Sequence, residues 1–180
     1  MTDLRATPTP FPDLAARFGV TYRDVAPSDT AFLKALYRST REAELDRTGW
    51  ERADKSAFID FQFNAQRRHY TEHYTGAAWL IIEQAGVPVG RLYLSRWTRE
   101  DRIVDIILHA DVRGGGLGTA ILRDLQANAA ASGRLLSIHV EKENPALTLY
   151  ERLGFERVQD KSVYWLMHWQ ASGAQTSVAT

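Results

Sequence analysis

Hydrophobic positions along the chain change period near residue 77, and that change divides a helical first third from a strand-rich middle. Val20 to Val25 reads as a first strand. Ser28 or Asp29 then offers an N-cap for a helix through about Leu45, with Phe32, Ala35, Leu36 and Ser39 on its expected buried face. Ile59, Phe63, Gln66, Tyr70 and Tyr74 recur at helical intervals with Phe58, Phe61 and Ala65 beside them, which predicts a second helix from about Asp54 to Tyr74. The stripe is wide: its members can be core, or its polar ones, Gln66 and the tyrosines, can line a pocket for a second substrate.

Beyond residue 77 the segments Ala78 to Ile82, Val87 to Trp97 and Ile103 to Leu108 predict three antiparallel strands, the first two joined by a turn at Gln84-Ala85-Gly86. The order then becomes glycine loop, helix, strand, helix, strand, strand. Leu117 to about Ala131 is helical, with Leu117, Ile121, Leu122 and Leu125 on one face and Ser132-Gly133 as its stop. Leu135 to Val140 is a strand, Asn144-Pro145 starts a helix that Gly154 ends, and Phe155 to Val158 and Val163 to Trp169 are the last two strands. The sum is an α+β fold, an α/β/α sandwich around a mixed, mostly antiparallel sheet of about seven strands with about four helices. Pro8, Pro10 and Pro12 mark residues 1–19 as an extended arm, 20–169 as one domain, and the small polar residues 170–180 as a tail.

Composition narrows the function. The 180 residues carry 22 Lys+Arg against 22 Asp+Glu, so no global charge draws the chain to nucleic acid or an anionic membrane. No apolar run is long enough to span a membrane, and Met1 to Pro12 lack the order of a signal peptide, so the reading is cytoplasmic. With no cysteine, a thiolate metal site and a cysteine nucleophile are excluded. His69 and His73 lie four apart on the second expected helix, but no third ligand is evident and Arg67-Arg68 oppose a cation, so no metal is expected.

The chemistry concentrates at Arg113-Gly114-Gly115-Gly116-Leu117-Gly118-Thr119, between a strand and a helix. Glycines let a backbone approach a ligand closely, and the first N–H groups of a helix are unpaired at the positive end of its dipole, a combination that holds pyrophosphate. A P-loop would need a lysine after Gly118, where Thr119 stands, and a dinucleotide fingerprint would need a third glycine at Thr119.

The spacing Arg113-x-x-Gly116-x-Gly118 instead resembles the acyl-CoA loop of the GNAT N-acetyltransferase superfamily, and Asn144-Pro145-Ala146 through Tyr150 to Gly154-Phe155 is similar to that family's later segment. The resemblance covers roughly residues 103–158. It implies acetyl-CoA as cosubstrate, with the amides of Arg113 to Thr119 on its pyrophosphate, Leu108 and Ala110 on its pantetheine arm where two strands splay apart, and Asn144 as a further contact. The same Asn144 side chain would serve as a helix cap.

The reaction implied is attack of a primary amine, of a small molecule or peptide, on the thioester in a ternary complex. Tyr150 matches the family's usual proton donor, although its apolar neighbours also suit a core aromatic. Three residues are candidates for the base that takes the amine proton: Asp105 on the strand before the loop, and His139 and Glu141 on the strand after the helix. The competing reading is a noncatalytic acyl-CoA-binding or regulatory module; release of free CoA thiol with a panel of amines separates the two. The family also allows a homodimer.

Overall fold

The structure, a computed structural model, describes residues 14–171; the expected arm before residue 14 and tail after residue 171 lie outside the described residues. Seven strands, β1 (Val20–Asp24), β2 (Ala78–Gln84), β3 (Val87–Arg96), β4 (Glu100–Leu108), β5 (Leu135–Glu141), β6 (Glu156–Lys161) and β7 (Tyr164–Trp169), form one sheet in the order β1-β2-β3-β4-β5-β7-β6. Every neighbouring pair is antiparallel except β4 with β5. The helices are α1 (Thr30–Ser39), α2 (Glu42–Leu45), α3 (Arg52–His73), α4 (Leu117–Ala131) and α5 (Leu147–Arg152). This is the expected α+β sandwich.

The helices divide between the faces. Leu117, Ile121, Leu122, Leu125 and Tyr150, from α4 and α5, share a core with Leu80, Leu92, Ile103, Leu136 and Val140 of the sheet. Leu33, Tyr37, Leu45, Ile59 and Phe63, from α1 to α3, pack with Ile81 on the other face. No described helix is long and apolar enough to cross a membrane.

One expected helix became two. The hydroxyls of Ser39 and Thr40 donate to the carbonyls of Leu36 and Tyr37, both at 2.7 Å, which satisfies the last turn of α1 internally and competes with its continuation. The buried face of α1 is Leu33, Leu36 and Tyr37; Ala35 is exposed, because the helix turns its largest apolar side chains toward α3, where Tyr37 meets Phe63 at 6.1 Å. On α3 only Ile59 and Phe63 are buried, while Phe61 is 68% exposed and Gln66, Tyr70 and Tyr74 are half-buried. The later helix starts at Leu147 rather than at Pro145: Asn144 Oδ1 accepts from the Ala146 N–H at 2.8 Å and closes a turn ahead of α5.

The parallel pair sets the geometry of the site. Pairing of β4 with β5 stops at Ile103 opposite Ile138, yet β4 continues to Leu108 and β5 to Glu141. The two strands therefore diverge toward the glycine loop, and among the described residues the backbone of β4 beyond Ile103 has no strand on that side.

Candidate active site

Between β4 and α4 the chain makes a short 3-10 turn, Ala110–Val112, and then the loop 113–116. Gly114 and Gly116 have φ of 78° and 92°, a conformation in which an L side chain is strained, so at these two positions glycine is required by the backbone. The N–H groups from Gly114 to Thr119 donate to no carbonyl or side chain among the described residues. They form a run of free donors at the start of a 15-residue helix, the arrangement that suits a pyrophosphate. Arg113 donates from Nε to the Leu108 carbonyl at 2.8 Å, which ties the loop to the end of β4. Gly90 of β3, opposite Leu108, lets the strands approach: a Cβ there would lie 2.5 Å from the Ile107 carbonyl oxygen and 2.9 Å from Leu108 Cδ2.

Tyr150 reaches the divergence from the α5 side. Its ring packs edge-on against Phe155 at 5.6 Å, it is 5% exposed, and no described group hydrogen-bonds its hydroxyl. Burial, and secondarily the charge of Asp105, push its pKa well above the ordinary phenol value, so Tyr150 keeps its proton at neutral pH.

Asp105 lies on the opposite face, aimed there by a bulge at which the register between β3 and β4 shifts after Tyr93. It is in ionic contact with Arg91, which is 2% exposed, donates from Nη2 to Gln66 Oε1 of α3 at 2.8 Å and lies 5.1 Å from the Tyr93 ring centroid. Asp105 Oδ2, the oxygen against Arg91 Nη2, is buried and has no other partner among the described residues. Around it stand Tyr70 and Tyr93, whose pKa values burial also raises, and Trp79, which meets Tyr93 edge-on at 4.7 Å.

The other two candidate bases are engaged as well. Both oxygens of Glu141 accept from the Arg41 guanidinium, at 2.7 and 3.3 Å, a bridge from the α1–α2 turn to the end of β5. His139 is exposed, and its Nδ1 lies 2.9 Å from Arg102 Nη1. Because a guanidinium only donates, Nδ1 is the acceptor and Nε2 carries the proton. Partial burial and the Arg102 charge lower the His139 pKa, so the ring is neutral near pH 7.

Residues 75–157 match the family model of the acetyltransferase (GNAT) domain, the span that holds the loop, the strand divergence and Tyr150. That stretch of the chain is similar to a GNAT domain. Solved structures agree on the fold. The PaiA N-acetyltransferase of Thermoplasma acidophilum, in complex with coenzyme A, is 11% identical with a TM-score of 0.62, over 84% of this chain and 99% of that one. A GCN5-related N-acetyltransferase from Rhodopseudomonas palustris is 21% identical, TM-score 0.58, over 84% and 95%. The acetyltransferase-like yncA of Salmonella typhimurium, with acetyl-CoA, is 20% identical, TM-score 0.52, over 84% and 94%. No curated protein matches the sequence.

Within the matched span, Leu108 ends β4, Ala110 opens the 3-10 turn that follows it, and Asn144 lies between β5 and α5. Among the described residues no group of three or more His, Asp or Glu is placed to hold a metal; the His69 and His73 ring centroids lie 4.2 Å apart, the rings tilted by 31°, on the exposed side of α3. Sequence reading missed Arg91, Arg41 and Gly90. Arg91 carried a usable signal, a charge inside the apolar strand Val87 to Trp97.

Proposed function

We propose that the protein is an acetyl-CoA-dependent N-acetyltransferase that transfers an acetyl group to a primary amine of a small molecule or peptide. The observation that carries this reading is the run of unpaired amides at the start of α4, beside the divergence of β4 and β5, with Asp105 near enough to Tyr150 for its charge to help keep the phenol protonated. The residues fit the cosubstrate. The amides from Gly114 to Thr119 and the Thr119 hydroxyl would hold the pyrophosphate; Leu108, Ala110 and Asn144 would border the pantetheine arm. Bound acetyl-CoA supplies an acetyl group activated as a thioester, and two of the similar folds were solved with CoA or acetyl-CoA.

The remaining chemistry belongs to side chains. An alkylammonium has a pKa of about 10, so the acceptor must lose a proton before it attacks. Asp105, whose Oδ2 is held by Arg91, takes that proton. Glu141 is set aside because Arg41 occupies both its oxygens, and His139 because its only lone pair is committed to Arg102. Tyr150 holds its proton until the departing sulfur needs one, and the Asp105 charge strengthens that hold. Asp105 thus receives on one face of the sheet while Tyr150 donates on the other. Tyr70, Trp79 and Gln66 would border the acceptor.

The test is steady-state release of free CoA thiol with a panel of amines, for the native chain, Asp105→Asn and His139→Gln. Turnover with at least one amine is expected, reduced about 10²-fold or more in Asp105→Asn and within a few-fold of native in His139→Gln. Acetyl-CoA binding without turnover on any amine would instead favour a noncatalytic module. A greater loss in His139→Gln would overturn the choice of base.

A further inference from the structure

Beside the glycine loop, away from the strand divergence, lies an open cleft of about 230 Å³ bordered by Phe18, Gln84, Asp111, Val112, Arg113, Gly115 and Leu117. Two of these residues, Phe18 and Gln84, come from outside the connection between β4 and α4. Phe18 ends the 3-10 turn Ala15–Phe18 that leads into β1, and its ring is close enough that a Cβ on Gly116 would lie 3.6 Å from its Cζ.

The ring is 37% exposed, yet its backbone is fixed at several points. Asp124 of α4, itself buried, accepts the N–H groups of Leu14 and Ala15 at 3.2 and 2.9 Å. Gln84 Nε2 donates to the Phe18 carbonyl at 2.8 Å, and Gly19, at φ 70°, caps the turn by donating to Ala16 at 2.9 Å. Burying a carboxylate is unfavourable unless it is fully bonded, and here its bonds serve to hold the turn that carries Phe18 against α4, the helix that opens with the free amides. An exposed aromatic on a rigid mount loses little freedom on stacking.

We propose that this cleft receives the adenine end of the cosubstrate, with the base stacked on Phe18. The inference rests on the acetyl-CoA reading above. The groups around the ring suit an adenine nucleotide. The Gln84 amide carbonyl and the Asp111 carboxylate accept from an exocyclic amine, and the Arg113 guanidinium, held at Nε by Leu108, keeps its outer nitrogens for a phosphate. Phe18 is here a binding residue set by the segment before β1, so that segment contributes to cofactor affinity without approaching the reacting atoms.

Calorimetry on the native chain, Phe18→Ala and Phe18→Trp would use acetyl-CoA, S-acetyl-4′-phosphopantetheine, which lacks adenosine, and AMP. Stacking of one base predicts that Phe18→Ala weakens acetyl-CoA by about 5- to 100-fold, that Phe18→Trp restores native affinity, and that the phosphopantetheine thioester binds all three proteins alike. AMP binding as tight as that of acetyl-CoA would overturn the assignment in favour of a free nucleotide. Equal losses for acetyl-CoA and the phosphopantetheine thioester in Phe18→Ala would show that Phe18 only supports the loop, and no loss for either would place the adenine elsewhere. A native chain that binds neither thioester would overturn the acetyl-CoA reading itself, an outcome distinct from these.

Discussion

Replacing Tyr150 by Phe removes one oxygen and nothing else, and the structure separates what that oxygen does for stability from what it does for chemistry. The ring is nearly buried and keeps its edge-on contact with Phe155 in the variant. The hydroxyl has no hydrogen-bond partner among the described residues, so its removal leaves no buried group orphaned and forfeits no bond. Stability should change by less than about 1 kcal/mol, within about 2–4 °C of Tm for a chain of this size. Acetyl-CoA affinity, set by the loop amides, should stay within a few-fold of native. Turnover should fall about 10²- to 10⁴-fold, the range for losing a general acid. Tyr150→Ala is the poorer experiment, since emptying the ring's volume would cost about 3–5 kcal/mol and confound rate with folding. The assay pairs calorimetric Kd and a melting curve with kcat from thiol release. A kcat within three-fold or so of native, with a folded protein, would refute proton delivery by Tyr150 and return it to the core. A fall in Tm and affinity matching the fall in rate would do the same.

Three further outcomes follow from the geometry. Gly90→Ala drives a Cβ to 2.5 Å from the Ile107 carbonyl oxygen and should destabilise by about 1–3 kcal/mol in urea melts while displacing Leu108, the end of β4 that anchors Arg113; unchanged stability would mean β3 and β4 yield more easily than packed strands do. Ala85, at φ 51° in the two-residue turn between β2 and β3, should welcome Asn: Ala85→Asn is expected to add about 0.5–1 kcal/mol, and a loss would contradict the left-handed assignment. Tyr70, Tyr93, Tyr150 and Tyr164 all have pKa values raised by burial above the ordinary 10.0, so the folded state holds these protons more tightly than the unfolded chain does. The stability this contributes is full below pH 10.0 and is lost as pH rises beyond it, so alkaline melts should show Tm falling above pH 10.0, less steeply in Tyr150→Phe; a flat profile would sink this reading.

What the sequence made legible was what local pattern controls: the strand and helix order, the buried stripe of α4 with Leu117, Ile121, Leu122 and Leu125, and a loop whose glycines were identifiable because the backbone needs them. What it hid was partnership. Arg41 finds Glu141 across 100 positions, and Gln66 finds Arg91 across 25, and no periodicity records either distance. The proposed choice among the three candidate bases, which sequence alone had to leave equal, rests on these pairings.

Asp105 shows how far one residue of register can carry function. Ile103 faces α4 and packs in the core on that side, and strict alternation would send Asp105, two residues on, to the same apolar side. The pairing instead runs Tyr93 with Asp105 and then Leu94 with Ile103, so Val104 is the extra residue of the bulge and the faces exchange there. Asp105 joins Tyr93 on the α3 side, where Arg91 and Gln66 wait, while Ile106 returns to the α4 core. In the sequence the stretch Ile103 to Leu108 is an apolar run with one acid in it, and nothing in such a run marks where the alternation slips. The slip is what separates a carboxylate buried unmatched in a hydrophobic core from one held by a guanidinium. The proposed proton acceptor therefore exists through the bulge as much as through the aspartate.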